Sequence, residues 1–136
     1  ALGIEVERRN IHLRDAHPNT VILFVQGRQR SLEIQAESLG GGVIRVCKID
    51  GIEANFHGDV PTLVVHNIDE PGHVAGVTAL LARRGINLAT MQLYRSARGG
   101  YAVMIVESDQ AIPTDAIYEI EQMPGILKVT YLNTEE

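Results

Sequence analysis

Between His66 and Asn87 the chain reads HNIDEPGHVAGVTALLARRGIN, an apolar strand end joined to a helix through two acids, a proline and a glycine. That turn has the parts a zwitterion needs. Helix amides near Gly72 and His73 can face a carboxylate, and side-chain oxygens at the strand end can accept an ammonium. Local structure accounts for the same residues: Asp69 or Glu70 can cap the helix, and Asn87 suits a tight turn after Gly85.

A second cluster lies earlier. Gly40, Gly41 and Gly42 follow Ser38 between two strands, a run of bare backbone suited to the approach of an anion or a neighbouring domain, or to a β-bulge. His17, in the segment RDAHPNT, is a lone histidine, which at a strand end more often serves as a local hydrogen-bonder. The one cysteine, Cys47, sits in GVIRVCKID, where packing inside a strand is the expected role. It cannot form an intramolecular disulfide, nor alone hold a zinc ion or an iron–sulfur centre. His12, His57, His66 and His73 show no spacing typical of metal ligands, and no metal site is expected. Gly-x-Ser-x-Gly elbows and phosphate loops are absent from the sequence.

These residues need elements to position them. In the second half, TLVVHN reads as a central strand, and Val74, Val77, Thr78 and Leu81 mark an amphipathic helix that Gly85 ends. Pro71 suits its first turn, and Arg83 and Arg84 its negative end. NLATMQLYR alternates, with Ala89, Met91 and Leu93 on one face; SARGG makes a hairpin and YAVMIVES returns. Thr114 caps a second helix with Ile117, Ile120 and Met123 inward, Pro124–Gly125 stops it, and ILKVTYL is the last strand. The order βαββαβ predicts a ferredoxin-like sheet with both helices on one face. In the first half, IEVERRNIHL, NTVILFVQG, SLEIQAESLGGG and VIRVCKIDGIEANF predict four or five strands with a turn at Asp50–Gly51. With so few helices, this half reads as an incomplete layer of a larger α/β domain. The overall class is α+β. The opening ALGIEVERRNIHL looks like a helix end entering a strand, as expected of a piece of a longer protein.

The 136 residues fit one domain or two small ones, and 45% hydrophobic content is enough for a core. A net charge of −5 with scattered basic residues argues against a nucleic-acid partner. No apolar run is long enough to span a bilayer, so neither a membrane nor a secretory route is expected, and the cytoplasm is.

The segment from Pro61 to about Leu132, with HNIDEPG and GIN, resembles the ACT domain, a small amino-acid-binding regulatory module. In serine-sensing members, polar residues two and four positions before the proline and the asparagine opening the second strand hold the ligand at a subunit interface. Here these are Asp69, Asn67 and Asn87, which with Gly72 and His73 form the implied effector site; Asn67 and Asp69 differ in type from the best-known pattern. Pairing through an exposed sheet edge, giving an ACT homodimer, is the other use such a module implies.

His17–Pro18–Asn19–Thr20, then Ser38 to Gly42, then GDVPTLVVHNID, resemble the C-terminal part of the β subunit or β domain of iron–sulfur-dependent L-serine dehydratases. The resemblance implies that residues 1–59 are the C-terminal part of an allosteric substrate-binding-like domain and 60–136 an ACT domain. It also implies a catalytic α subunit or domain carrying a 4Fe–4S cluster, and a role in converting L-serine to pyruvate and ammonia. Neither the family's Ser–Ser–Ser–His–Thr segment nor its cluster cysteines occur here, so this chain alone is expected to be inactive. His17 and Ser38 are then candidates for meeting the catalytic domain, and L-serine for the effector. The rivals are the regulatory end of a phosphoglycerate dehydrogenase and a stand-alone binding or dimerisation module.

Overall fold

A computed structural model describes residues 3–14, 16–96 and 99–133. Ten elements follow in order: β1 (Thr20–Gln26), β2 (Ser31–Gly40), β3 (Val43–Ile49), β4 (Ile52–Phe56), β5 (Thr62–Ile68), α1 (His73–Arg83), β6 (Leu88–Arg95), β7 (Tyr101–Ser108), α2 (Thr114–Glu121) and β8 (Ile126–Leu132). The class is α+β, and the second half has the expected βαββαβ order.

β1 to β4 form an antiparallel meander in sequence order, whereas the second sheet runs β6-β7-β5-β8 and is also antiparallel. Asp50 and Gly51 make the β3–β4 turn with φ of 48° and 77°, the left-handed pair a two-residue hairpin requires. Period-two alternation sends neighbouring residues of β5 to opposite faces. Leu63 and Val65 pack with Val77, Leu80, Leu81 and Ile120 of the helices. Val64 faces the other way and joins Val103 and Ile105 against Val46, Ile49, Ala54 and Phe56 of the meander. The central strand is therefore covered on both sides, which is why TLVVHNI is apolar almost throughout.

At the edge of the second sheet, the turn after β1 closes over β8. The Arg30 guanidinium donates to the Val129 carbonyl and lies 3.9 Å from Glu121. Lys128 of β8 donates to the Ser31 carbonyl at 2.9 Å.

Several expectations are corrected. Residues 4–13 form no strand, since they pair with no described strand; Ile4, Val6 and Ile11 stay exposed. Neither Asp69 nor Glu70 caps α1: its N-cap is Gly72 at φ 100°, with no side-chain cap, and Pro71 lies outside the helix. Thr114 is likewise no cap but the first residue of α2 after Pro113. The buried stripe of α1 is Val77, Leu80 and Leu81, with Val74 exposed and the Thr78 hydroxyl bonded back to the Val74 carbonyl at 2.8 Å. Within SARGG, Ala97 and Arg98 lie outside the described residues, as do Ala1 and Leu2 of the expected helix end.

Candidate functional site

The β5–α1 turn presents an uncapped helix start beside a buried amide side chain. Gly72 reaches φ 100° because it lacks a Cβ, and this lets the chain swing from the strand into α1 without covering the first-turn amides. Asn67, only 3% exposed, donates through Nδ2 to the Ile68 carbonyl at 2.7 Å. Its Oδ1 is buried without a partner. An acceptor left that way costs about 1–3 kcal/mol, so it is a candidate ligand-facing atom.

Asp69 has structural work. Its Oδ2 accepts from the Gly99 amide at 3.1 Å and lies 3.6 Å from Arg95 Nε, while its own amide donates to the Gly100 carbonyl. It thus pins the β6–β7 hairpin to the turn. His73 Nε2 is buried without a hydrogen bond and sits 3.9 Å from Glu70 Oε2. Its ring packs on Gly125, where an added Cβ would lie 2.2 Å from Cε1. Gly125, legible only as a helix stop, is therefore also a wall of the turn.

Asn87 does not join this group within one protomer. It lies past the far end of α1, about 16 Å of helix away, and bonds through Nδ2 to Asp109. His17 and Ser38 do come together: the Asn19 amide donates to His17 Nδ1 at 3.2 Å, and the Ser38 amide to the Asn19 carbonyl at 2.9 Å. Gly40, at the end of β2, and Gly41 and Gly42, in the β2–β3 turn, all have positive φ, and nothing stands within 4 Å of a Cβ at any of them. Cys47 is half-buried in β3, its Sγ 3.3 Å from the Gln35 carbonyl.

Sequence reasoning missed a constellation where the two sheets meet. His66, one residue before Asn67 and on the opposite face of β5, is 8% exposed, with Nε2 3.0 Å from Asp50 Oδ2. Lys128 donates to the same carboxylate, and Asp50 Oδ1 accepts from the Glu33 amide at 2.8 Å. Burial, then the Lys128 charge, push the His66 imidazole below its ordinary 6.5, outweighing the pull of Asp50. Burial disfavours the Asp50 carboxylate, yet Lys128, the Glu33 amide and His66 together hold it below its ordinary 3.8. The one signal was a histidine inside an apolar run: a polar ring in a strand covered on both faces needs a polar neighbour.

Residues 62–125 match the ACT domain family. The chain is 37% identical over 131 residues to the "Probable L-serine dehydratase, beta chain" of Bacillus subtilis, an alignment covering 96% of this chain and 59% of that protein. It is 32% identical over 136 residues to a D-3-phosphoglycerate dehydrogenase of Methanocaldococcus jannaschii, and 23% identical over 131 residues to that of Bacillus subtilis. It spans 26% and 25% of those two enzymes.

Proposed function

We propose, on the match of residues 62–125 to the ACT domain family, that this chain is the regulatory and assembly part of an iron–sulfur L-serine dehydratase, binding an amino-acid effector at the β5–α1 turn. Residues 1–59 are then part of an allosteric substrate-binding domain and 60–136 the ACT domain. The observation that carries the effector reading is the buried, partnerless Asn67 Oδ1 beside the uncapped start of α1. An ammonium donates to that oxygen, and the first-turn amides receive the carboxylate.

Pairing supplies Asn87. β6 starts beside Asn87 and ends at Arg95, which contacts Asp69. Two copies joined antiparallel along β6 set each Asn87 near the other copy's Asp69 and Gly72, and the effector then bridges a homodimer.

The cluster belongs to a catalytic α partner. Cys47 is the chain's one cysteine, and no group of three His, Cys, Asp or Glu side chains among the described residues could hold a metal. His17 and Ser38, linked through Asn19, are the surface offered to that partner. Isothermal titration of L-serine into the intact chain tests the effector site: binding that Asn67→Ala and Asn87→Ala each weaken at least tenfold supports it, and absence of heat with wild type refutes it.

The similarity to phosphoglycerate dehydrogenases favours a second reading, the regulatory end of such an enzyme. Assaying the protein in its native context separates the two: pyruvate release from L-serine supports the first, nicotinamide reduction with 3-phosphoglycerate the second.

A further inference from the structure

His66 and Asn67 are consecutive residues on opposite faces of one strand, and both carry buried polar atoms without a hydrogen-bond partner: the two ring nitrogens of the histidine and Oδ1 of the asparagine. The imidazole meets two charged groups from elements far apart in the chain. Asp50 comes from the β3–β4 turn, where it adopts φ 48°, an uncommon conformation for a non-glycine residue. Lys128 comes from β8, 78 residues later. Asp50 is also locked to β2, since its amide donates to the Glu33 carbonyl at 2.8 Å and its carboxylate accepts from the Glu33 amide at 2.8 Å. One carboxylate therefore ties β2, β5 and β8 together, and its counter-charge is already supplied by Lys128.

The groove above the cluster is lined by Asp50, Ile52, His66, Tyr101, Leu127 and Lys128, so water and protons reach it. Asp50, Lys128 and Tyr101 are the titratable side chains facing His66 there. A proton on His66 adds a second cation beside Lys128, against a single carboxylate, on a ring that is only 8% exposed.

We propose that Asp50, His66 and Lys128 form a proton-gated joint holding the second sheet against the meander, closed while His66 is neutral and loosened when it is protonated. Because His66 abuts Asn67, the joint also tunes effector binding at the β5–α1 turn, a coupling that rests on the effector reading above. The closed joint fixes the β5 backbone that presents Asn67, so protonation weakens the effector.

Hydrogen exchange on the full chain tests the joint without any ligand. Between pH 6.5 and 5.5 the protection factors of the Asp50 and Glu33 amides fall in the wild type, by up to about tenfold per pH unit, the limit for one linked proton. Amides in the middle of β7 keep theirs. In His66→Gln the same protection factors stay level across that window. Flat wild-type values, or equal falls in both proteins, overturn the proposal. Should His66→Gln fail to fold, Lys128→Met serves: the His66 titration followed by NMR moves up toward the ordinary histidine value, and an unmoved midpoint refutes the joint. Isothermal titration of L-serine at pH 7.5 and 5.5 reads the coupling. Affinity that falls severalfold in wild type and stays constant in His66→Gln supports it; constant affinity in wild type overturns it. If L-serine does not bind at any pH, the effector reading falls and the coupling with it, while the exchange data still decide the joint.

Discussion

Two four-stranded antiparallel sheets of similar length behave as unequal partners. The second has helices on one face and the meander on the other, so β5 and most of β7 are buried. The meander has one covered face, and β1 hangs past the edge of the core: Val21, Leu23 and Val25 are half exposed and Phe24 is 72% exposed. Alternating apolar residues make a strand, but a strand's contribution depends on what lies across from it. The second sheet is organised around its own core, while the meander is held by what it finds on the back of that sheet.

The largest test of this inequality is Phe56→Ala. This buried ring belongs to the cluster joining the sheets, and its removal is expected to destabilise the chain by about 3–5 kcal/mol in denaturant unfolding. Exchange protection should fall first in residues 20–56; simultaneous loss in both sheets would mean that they fold as equals. Gly125→Ala comes next, striking only the second sheet. Left-handed backbone at φ 82° costs a non-glycine residue about 1–2 kcal/mol, and the new methyl must also displace the His73 ring. The midpoint should drop with protection at the β5–α1 turn lost and that of β2 and β3 kept.

Acid provides a milder probe of the contact between the sheets. His66 is held below 6.5, so the unfolded chain binds a proton before the folded one does. Its contribution is fully present above pH 6.5 and lost as pH falls toward the folded value. Asp50, held below 3.8, adds stability that is lost only in stronger acid. Melting curves should show a first decline below pH 6.5 that His66→Gln removes. Smallest of all is Leu23→Thr on the overhanging strand: a half-exposed position should change stability by no more than about 0.5 kcal/mol. A loss of several kcal/mol there would show that β1 is part of a core after all.

How far these features could be read from the sequence follows the range of the interactions. The βαββαβ order, the Asp50–Gly51 hairpin and the left-handed Gly85 were legible because each depends on residues a few positions apart. Residues 4–13 show the limit of that logic: their alternation is genuine, but it specifies a strand only when the segment pairs with an edge. Asp69 was misread as a cap because its partners, Gly99 and Arg95, arrive from the β6–β7 hairpin. Asn67, Asp69, Gly72 and His73 are brought to one turn, whereas Asn87 is set at the other end of α1 because the helix between them is rigid. The Asp50, His66 and Lys128 cluster was invisible for the same reason on a larger scale, being assembled only when two sheets stack.

The Arg30 plug on β8 has a further consequence. With its guanidinium occupying a backbone carbonyl, that margin of the second sheet is closed to an incoming chain, and lateral growth is left to the opposite margin. Two copies paired there, as proposed above, would present only plugged margins outward, so such an association would end at a closed pair instead of propagating into a ribbon.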